Sequence, residues 1–210
     1  MASTKAIARR RFDRWAGSYE RDRRSRFNAR PQAEALKALA LQPQDRFLDV
    51  GCGTGGAVRA AAAVVERAVG VDLAPRMIAR ASELARELPR AEFVVGDSEQ
   101  LPFADATFSA LLCTSSYHHY PEPSRALAEM ARVLAPGGRF VLGDGTADRA
   151  LARIADRLLR RVDRSHVRLY RSEELVDAMR TAGFEEIGVR SLWDGGYAIV
   201  SARRSAAPTD

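Results

Sequence analysis

The sequence predicts an α/β fold: a largely parallel sheet with helices on both faces, closed by an antiparallel hairpin. Three observations predict it. Short apolar runs of strand length alternate with helix-period segments, which requires crossover connections and a sheet buried on both sides. The first of those runs, FLDV, opens directly into a glycine-rich loop, GCGTGG at 51–56. The chain ends on two strand-like segments that flank Asp194-Gly195-Gly196, a hairpin pattern.

The elements follow in order. Residues 5–24 read as one polar helix whose few apolar positions are Ile7, Phe12, Trp15 and Tyr19. Pro31 suits a first helical turn and opens a helix to about Leu41. After the strand ending in RFLDV come a helix at 55–66, strand 68–72, a helix from Pro75 to 87, and strands 92–96 and 107–113. Helix 123–134 carries Leu127, Met130, Val133 and Leu134 on one face, and Gly137 and Gly138 turn the chain into strand RFVLGD. Residues 149–171 form a basic segment with few apolar positions. A helix at 172–182, capped by Gly183, then leads to the hairpin. With no linker and no internal repeat, residues 1–210 read as a single domain, with a basic N-terminal segment at 1–30 and a tail at 203–210.

Composition narrows the class. The 210 residues are 46% hydrophobic and 29% charged, an ordinary globular balance. The longest apolar stretch, AVRAAAAVV at 57–65, is too short and interrupted to span a bilayer, and the charged N-terminus lacks the apolar core of a secretory signal. Cys52 and Cys113 form neither a disulfide framework nor a C-x-x-C metal motif. The expectation is a cytoplasmic protein without a metal centre. The net charge of +6 is uneven: residues 1–30 hold ten basic side chains against three acidic ones, and the remainder is nearly neutral. A second basic run, 149–171, sets eight arginines against Asp156 and Asp163. Of the 33 basic residues only Lys5 and Lys37 are lysine, so compositional bias explains the charge as readily as a nucleic-acid footprint does.

Gly51, Gly53 and Gly56 satisfy G-x-G-x-x-G, so a dinucleotide is the first reading of the loop. The rest of the chain argues against it. A short-chain reductase needs a tyrosine four residues before a lysine, and neither Lys5 nor Lys37 has one. Asp49, two residues before Gly51, is unhelpful beside a pyrophosphate but well placed to pair with an ammonium group. Asp72 ends the next strand, where a carboxylate can accept both ribose hydroxyls. Asp97 follows the third strand and can accept from an exocyclic amine. An amine, a ribose and an adenine in that order describe S-adenosylmethionine (SAM) rather than NAD.

The blocks D-V-G-C-G-T-G, V-G-V-D-L-A-P, G-D-S-E-Q-L-P-F, S-Y-H-H-Y-P-E-P and R-V-L-A-P-G-G-R-F-V, taken in order, resemble the class I SAM-dependent methyltransferases, in particular the small-molecule branch that includes the quinone-biosynthesis enzymes. The resemblance covers roughly residues 10–202. It implies a Rossmann-like, seven-stranded sheet of order 3-2-1-4-5-7-6, with SAM as cofactor and S-adenosylhomocysteine as its product. By position it implies that Asp49, Gly51, Cys52 and Gly53 surround the methionyl part, with Cys52 packing rather than reacting. Asp72 would hold the ribose, Leu73 and Met77 would flank the adenine, and Asp97 and Ser98 would meet its edge. Thr114 would line the methionine end, and Trp15 and Tyr19 would close over the cofactor.

His118 and His119 are the candidate general bases, beside an equally available structural role. A base is needed only if the acceptor keeps its proton at neutral pH. The expected acceptor is a small molecule offering O, C or N, one that the basic segments would favour if it is anionic or delivered on an acidic carrier protein. The alternatives are an RNA methyltransferase and a SAM-fold binding protein without transfer activity. Against RNA, the fourth strand is followed by Thr114-Ser115-Ser116-Tyr117 rather than an N/D-P-P-Y/F motif. The two basic segments are further expected to form a lid, with arginines at the acceptor's entrance.

Overall fold

The computed structural model of this protein describes residues 3–206, without the side chains of 24–26 and 28; the first two residues of the expected N-terminal segment and residues 207–210 of the expected tail lie outside the described residues. Seven strands form one sheet: β1 (Arg46–Val50), β2 (Arg67–Asp72), β3 (Ala91–Val95), β4 (Phe108–Thr114), β5 (Leu134–Gly145), β6 (Phe184–Leu192) and β7 (Tyr197–Arg204). Their order is β3-β2-β1-β4-β5-β7-β6, as expected. The first five run parallel, and β7 is antiparallel to both β5 and β6.

Alternation along the central strands divides the core in two, because successive side chains leave a strand on opposite faces. Leu48, Val50, Val69, Val71, Leu111 and Cys113 pack on one side. Phe47, Ala68, Ala110, Leu112 and Val141 pack on the other. The helices are α1 (Thr4–Trp15), α2 (Arg23–Leu39), α3 (Gly56–Ala61), α4 (Pro75–Leu84), α5 (Pro123–Val133), α6 (Ala150–Val162) and α7 (Ser172–Thr181). The chain builds outward from β1 to β3, then returns to start β4 on the other side of β1. That reversal leaves a crevice at the carboxyl ends of β1 and β4, where open parallel sheets bind ligands.

Three local expectations change. Residues 5–24 are not one helix: α1 stops at Trp15, a 3-10 turn follows at Tyr19–Arg21, and α2 begins at Arg23. Pro31 lies inside α2 rather than at its start. The carbonyl its ring deprives of a donor is that of Phe27, a residue 60% exposed, where water can replace the missing N–H. The segment 149–171 is not poor in apolar residues. It forms α6, and Leu151, Ile154, Leu158, Leu159 and Val162 are all exposed.

Candidate active site

The loop after β1 is shaped by left-handed backbone. Gly51 and Gly53 have φ of 77° and 54°, and a Cβ on Gly51 would lie 2.5 Å from Ser116 Oγ. A Cβ on Gly53 would meet nothing closer than the Tyr19 ring at 3.8 Å, so the loop there leaves open space beneath Tyr19. That space belongs to a cavity of about 320 Å³ at the crevice. Of the residues expected around a cofactor, Tyr19, Gly51, Cys52, Gly53, Asp72, Leu73, Met77, Asp97, Ser98 and Thr114 line it.

Asp72 is held by two backbone donors. Gly53 N donates to Oδ2 and Ala74 N to Oδ1, both at 2.9 Å. Burial pushes its pKa up, and these two N–H groups oppose the rise. Asp97 Oδ2 accepts from Lys5 of α1 at 2.6 Å, and Lys5 also reaches Glu99. Thr114 Oγ1 accepts from Gln32 Nε2 of α2 at 3.3 Å. Cys52 lies across Gly70 of β2, where an added Cβ would come within 2.8 Å of its sulfur. Its thiol is buried and its pKa is raised well above the ordinary value, which makes it a packing group.

Asp49 does not line the cavity but lies sealed beneath the loop. It is fully buried, and neither carboxylate oxygen has a hydrogen-bond partner among the described residues. Burial, with the nearby Asp72 charge adding to it, raises its pKa to about 8. An orphaned buried carboxylate is costly, and a cation brought to the loop would relieve it. Trp15 likewise stands behind the cavity wall. Its ring meets Tyr19 edge-on at 4.7 Å and stacks against Phe12 at 6.1 Å, while its Nε1 donates to Asp22. Phe12, expected only as an apolar position of the N-terminal helix, lines the cavity beside Tyr19.

The two histidines separate. His118 is turned to Asp144, whose Oδ1 lies 2.7 Å from Nδ1 and whose Oδ2 accepts the His118 backbone N–H. Burial works against its charge, but Asp144 outweighs burial and raises its pKa. His119 lines the cavity, its ring edge-on to Phe12 at 5.2 Å. Burial and the neighbouring His118 push its pKa well below the ordinary value. The third histidine of the chain, His166, completes the group 5.4 Å from His118 and bonds Asp156 through Nε2 at 2.8 Å. Sequence spacing carried no signal for this third member, because it arrives from a distant loop.

The expected lid is present only in part. Lys5, Ala8, Arg9 and Phe12 of α1 line the cavity, but no residue of 149–171 does. The arginines of α6 are exposed, and the segment meets the site from behind: Arg11 bonds Asp163 and Ser165, the Ser165 carbonyl meets His119, and His166 and the Val167 N–H meet His118.

A sequence profile described as a methyltransferase domain matches residues 48–142. The chain is 36% identical over 137 residues to an uncharacterized methyltransferase, YcgJ, of Bacillus subtilis, spanning 63% of this chain and 54% of that protein. It is 42% identical over 121 residues to the demethylmenaquinone methyltransferase of Deinococcus radiodurans, spanning 53% and 47%. The fold superposes on phosphoethanolamine N-methyltransferase 2 of Haemonchus contortus, solved with SAM, at a TM-score of 0.81 and 18% identity, over 98% of this chain and 60% of that one. The chain thus spans about half the length of the curated relatives it matches. The strand order, the glycine loop with its three carboxylates and these similarities agree: the chain belongs to the class I S-adenosylmethionine-dependent methyltransferases, a family whose cofactor is SAM.

Proposed function

We propose that this chain transfers a methyl group to a small-molecule acceptor bound beside His119. The observation that carries the reading is the orphaned carboxylate of Asp49 beneath the loop, a buried acid with no hydrogen-bond partner among the described residues. The residues present fit SAM. Asp49 would compensate the α-ammonium, while the Gly51–Gly53 backbone and Thr114 hold the methionyl chain. Asp72 would accept from the ribose; two of its lone-pair sites are already used to fix it in place. Leu73 and Met77 would flank the adenine, Ser98 and Asp97 would meet its edge, and Tyr19, braced by Trp15, would cover it.

When bound, SAM supplies a methyl already activated on a sulfonium, so the protein's main task is to align the acceptor and exclude water, worth roughly 7–11 kcal/mol of barrier. Phe12, Ser116, His119 and Tyr120 form the wall available to an acceptor. His119 is the base of this wall. Its Nδ1 faces a carbonyl and must carry the proton, which leaves the Nε2 lone pair to accept one from a phenol, an enol or a similar acid. His118 is a positioning residue: it is locked to Asp144 and disfavours charge on His119. Helix α1 would act as the cover, with Lys5 and Arg9 as its charged contacts with the cavity.

The relatives' names suggest small acceptors of this kind, a demethylmenaquinone and a demethylrifamycin among them. The test is a screen with methyl-labelled SAM over phenols, quinols, carboxylates and RNA. Label appearing on a phenol or quinol supports the reading. Label on RNA alone, or on nothing while SAM still binds, overturns it.

A further inference from the structure

Helix α6 is amphipathic in the wrong direction for a helix that packs on its own sheet. Residues three and four apart share one stripe of a helix, and Leu151, Ile154, Leu158 and Val162 fall on such a stripe. A core helix would bury it. Here Leu151 and Val162 are 75% and 80% exposed, and Ile154 and Leu158 are each 55% exposed. The side turned inward carries an acid instead. Asp156 is buried and accepts from Arg160 at 2.6 Å, from His166 at 2.8 Å and from the Leu169 backbone N–H at 2.7 Å.

The charges complete the pattern. Both acids of the segment are consumed on the protein side, Asp156 as above and Asp163 by Arg11 and Ser165. Arg157, Arg161 and Arg164 stand exposed, and none of them has an ion pair among the described residues, whereas Arg153 turns back to the carbonyls of Ala147 and Asp148. The outward face of α6 is therefore an apolar stripe bordered by uncompensated cations. A partner for it must offer apolar depth and negative charge together. A second copy of this helix would bring arginine rows against arginine rows, with no acid left to neutralise them. At 13 residues the helix is about 20 Å long, too short to cross a bilayer.

We propose that α6 is a peripheral docking helix for an anionic lipid surface. Its apolar stripe enters the boundary between headgroups and acyl chains, and its arginines bind lipid phosphates. Beyond α6, Asp163 and Ser165 bond Arg11, and the Ser165 carbonyl bonds His119, so a docked molecule holds its cavity walls close to the lipid surface. The docking does not rest on the methyl-transfer reading, and the deciding readout of its test is lipid binding.

The experiment is co-sedimentation of the full chain with vesicles of phosphatidylcholine, and of phosphatidylcholine mixed with phosphatidylglycerol. Wild type, Leu158→Asp/Val162→Asp and Arg157→Glu/Arg161→Glu are compared, all four positions being exposed and outside the core; unchanged melting and SAM affinity verify that the fold is kept. The expected result is binding to the anionic vesicles that salt weakens, at least tenfold weaker binding to the neutral ones, and a loss of tenfold or more in each double variant. Absence of wild-type binding overturns the proposal. So does undiminished binding of the Leu158→Asp/Val162→Asp variant, which would assign attachment to the basic N-terminus. A wild-type dimer that this variant abolishes, without lipid binding, would make the face a self-interface.

Discussion

His119 Nδ1 lies 2.6 Å from the carbonyl oxygen of Ser165, and a carbonyl oxygen can only accept. The imidazole is therefore fixed as the Nδ1–H tautomer, with its basic nitrogen at Nε2. Replacing His119 with Gln should lower the transfer rate on a proton-bearing acceptor by roughly 10²–10⁴-fold and leave SAM affinity nearly unchanged. His118→Gln should cost less on the rate and act through the pH profile, since it removes the neighbouring charge that helps keep His119 neutral. Because the His119 pKa lies well below 6.5, the acidic limb of kcat against pH should fall below that value, with full activity above it. Stopped assays from pH 5 upward on both variants check this; wild-type turnover in His119→Gln removes the base.

Asp49 sets stability against binding. Its carboxyl is raised from 3.8 to about 8, so in the ligand-free protein the folded state holds a proton that the unfolded chain has released. Stability from this group is then greatest below the unfolded value and is lost as pH rises from 3.8 towards about 8. Asp49→Asn should flatten that slope and raise Tm at pH 8 by about 5 °C or more, while weakening SAM binding at least tenfold. Thermal melts across this pH range, with calorimetric titration of SAM, give both readouts. A variant with the wild-type slope would mean that Asp49 has a partner in solution.

The Asp72 carboxylate is held by Gly53 and Ala74, and a ribose would use its remaining lone pairs. Asp72→Asn should weaken SAM by about 1.5–3 kcal/mol, the range for hydrogen bonds to a charged group, or about tenfold to 150-fold in Kd. Calorimetry on the folded variant decides. Unchanged affinity would take the ribose away from this residue.

Lys5 bonds Asp97 and Glu99 from α1, with about a third of the Lys5 and Asp97 side chains exposed. Such a half-exposed pair is worth roughly 0.2–1 kcal/mol. Lys5→Ala should therefore raise the SAM dissociation rate by no more than about fivefold and reduce its salt dependence. Stopped-flow dissociation at two salt concentrations would show it, and a salt dependence equal to wild type would exclude the contact in solution.

Much of the fold was legible because it follows from local alternation. Each strand but β5 was foreseen to within a few residues, and the hairpin followed from Asp194-Gly195-Gly196; β5 begins at Leu134, five residues before the expected RFVLGD, and carries Gly137 and Gly138 within it. The carboxylates were legible because each sits where its strand ends. What escaped depends on partners distant in sequence. Nothing near Phe12 says that it, rather than Trp15, borders the cavity, since this depends on how α1 lies across α4 and the loop after β4. The roles of His118 and His119 differ because one finds Asp144 and the other Ser165, at separations that spacing cannot reveal. The apolar stripe of α6 was hidden among arginines, and its outward direction is set by Asp156, which pairs inward with His166.

Helix α1 is fastened over the cavity at both ends, by Lys5 to Asp97 and Glu99 and by Arg11 to Asp163 and Ser165. In the proposed binding mode, a nucleoside under such a strap would leave only after one fastening parts. Turnover would then have two clocks, one for the chemistry proposed at His119 and one for the strap, and product departure would be governed by the second. For a fast acceptor, kcat would report the opening of α1 rather than the breaking of a bond to carbon.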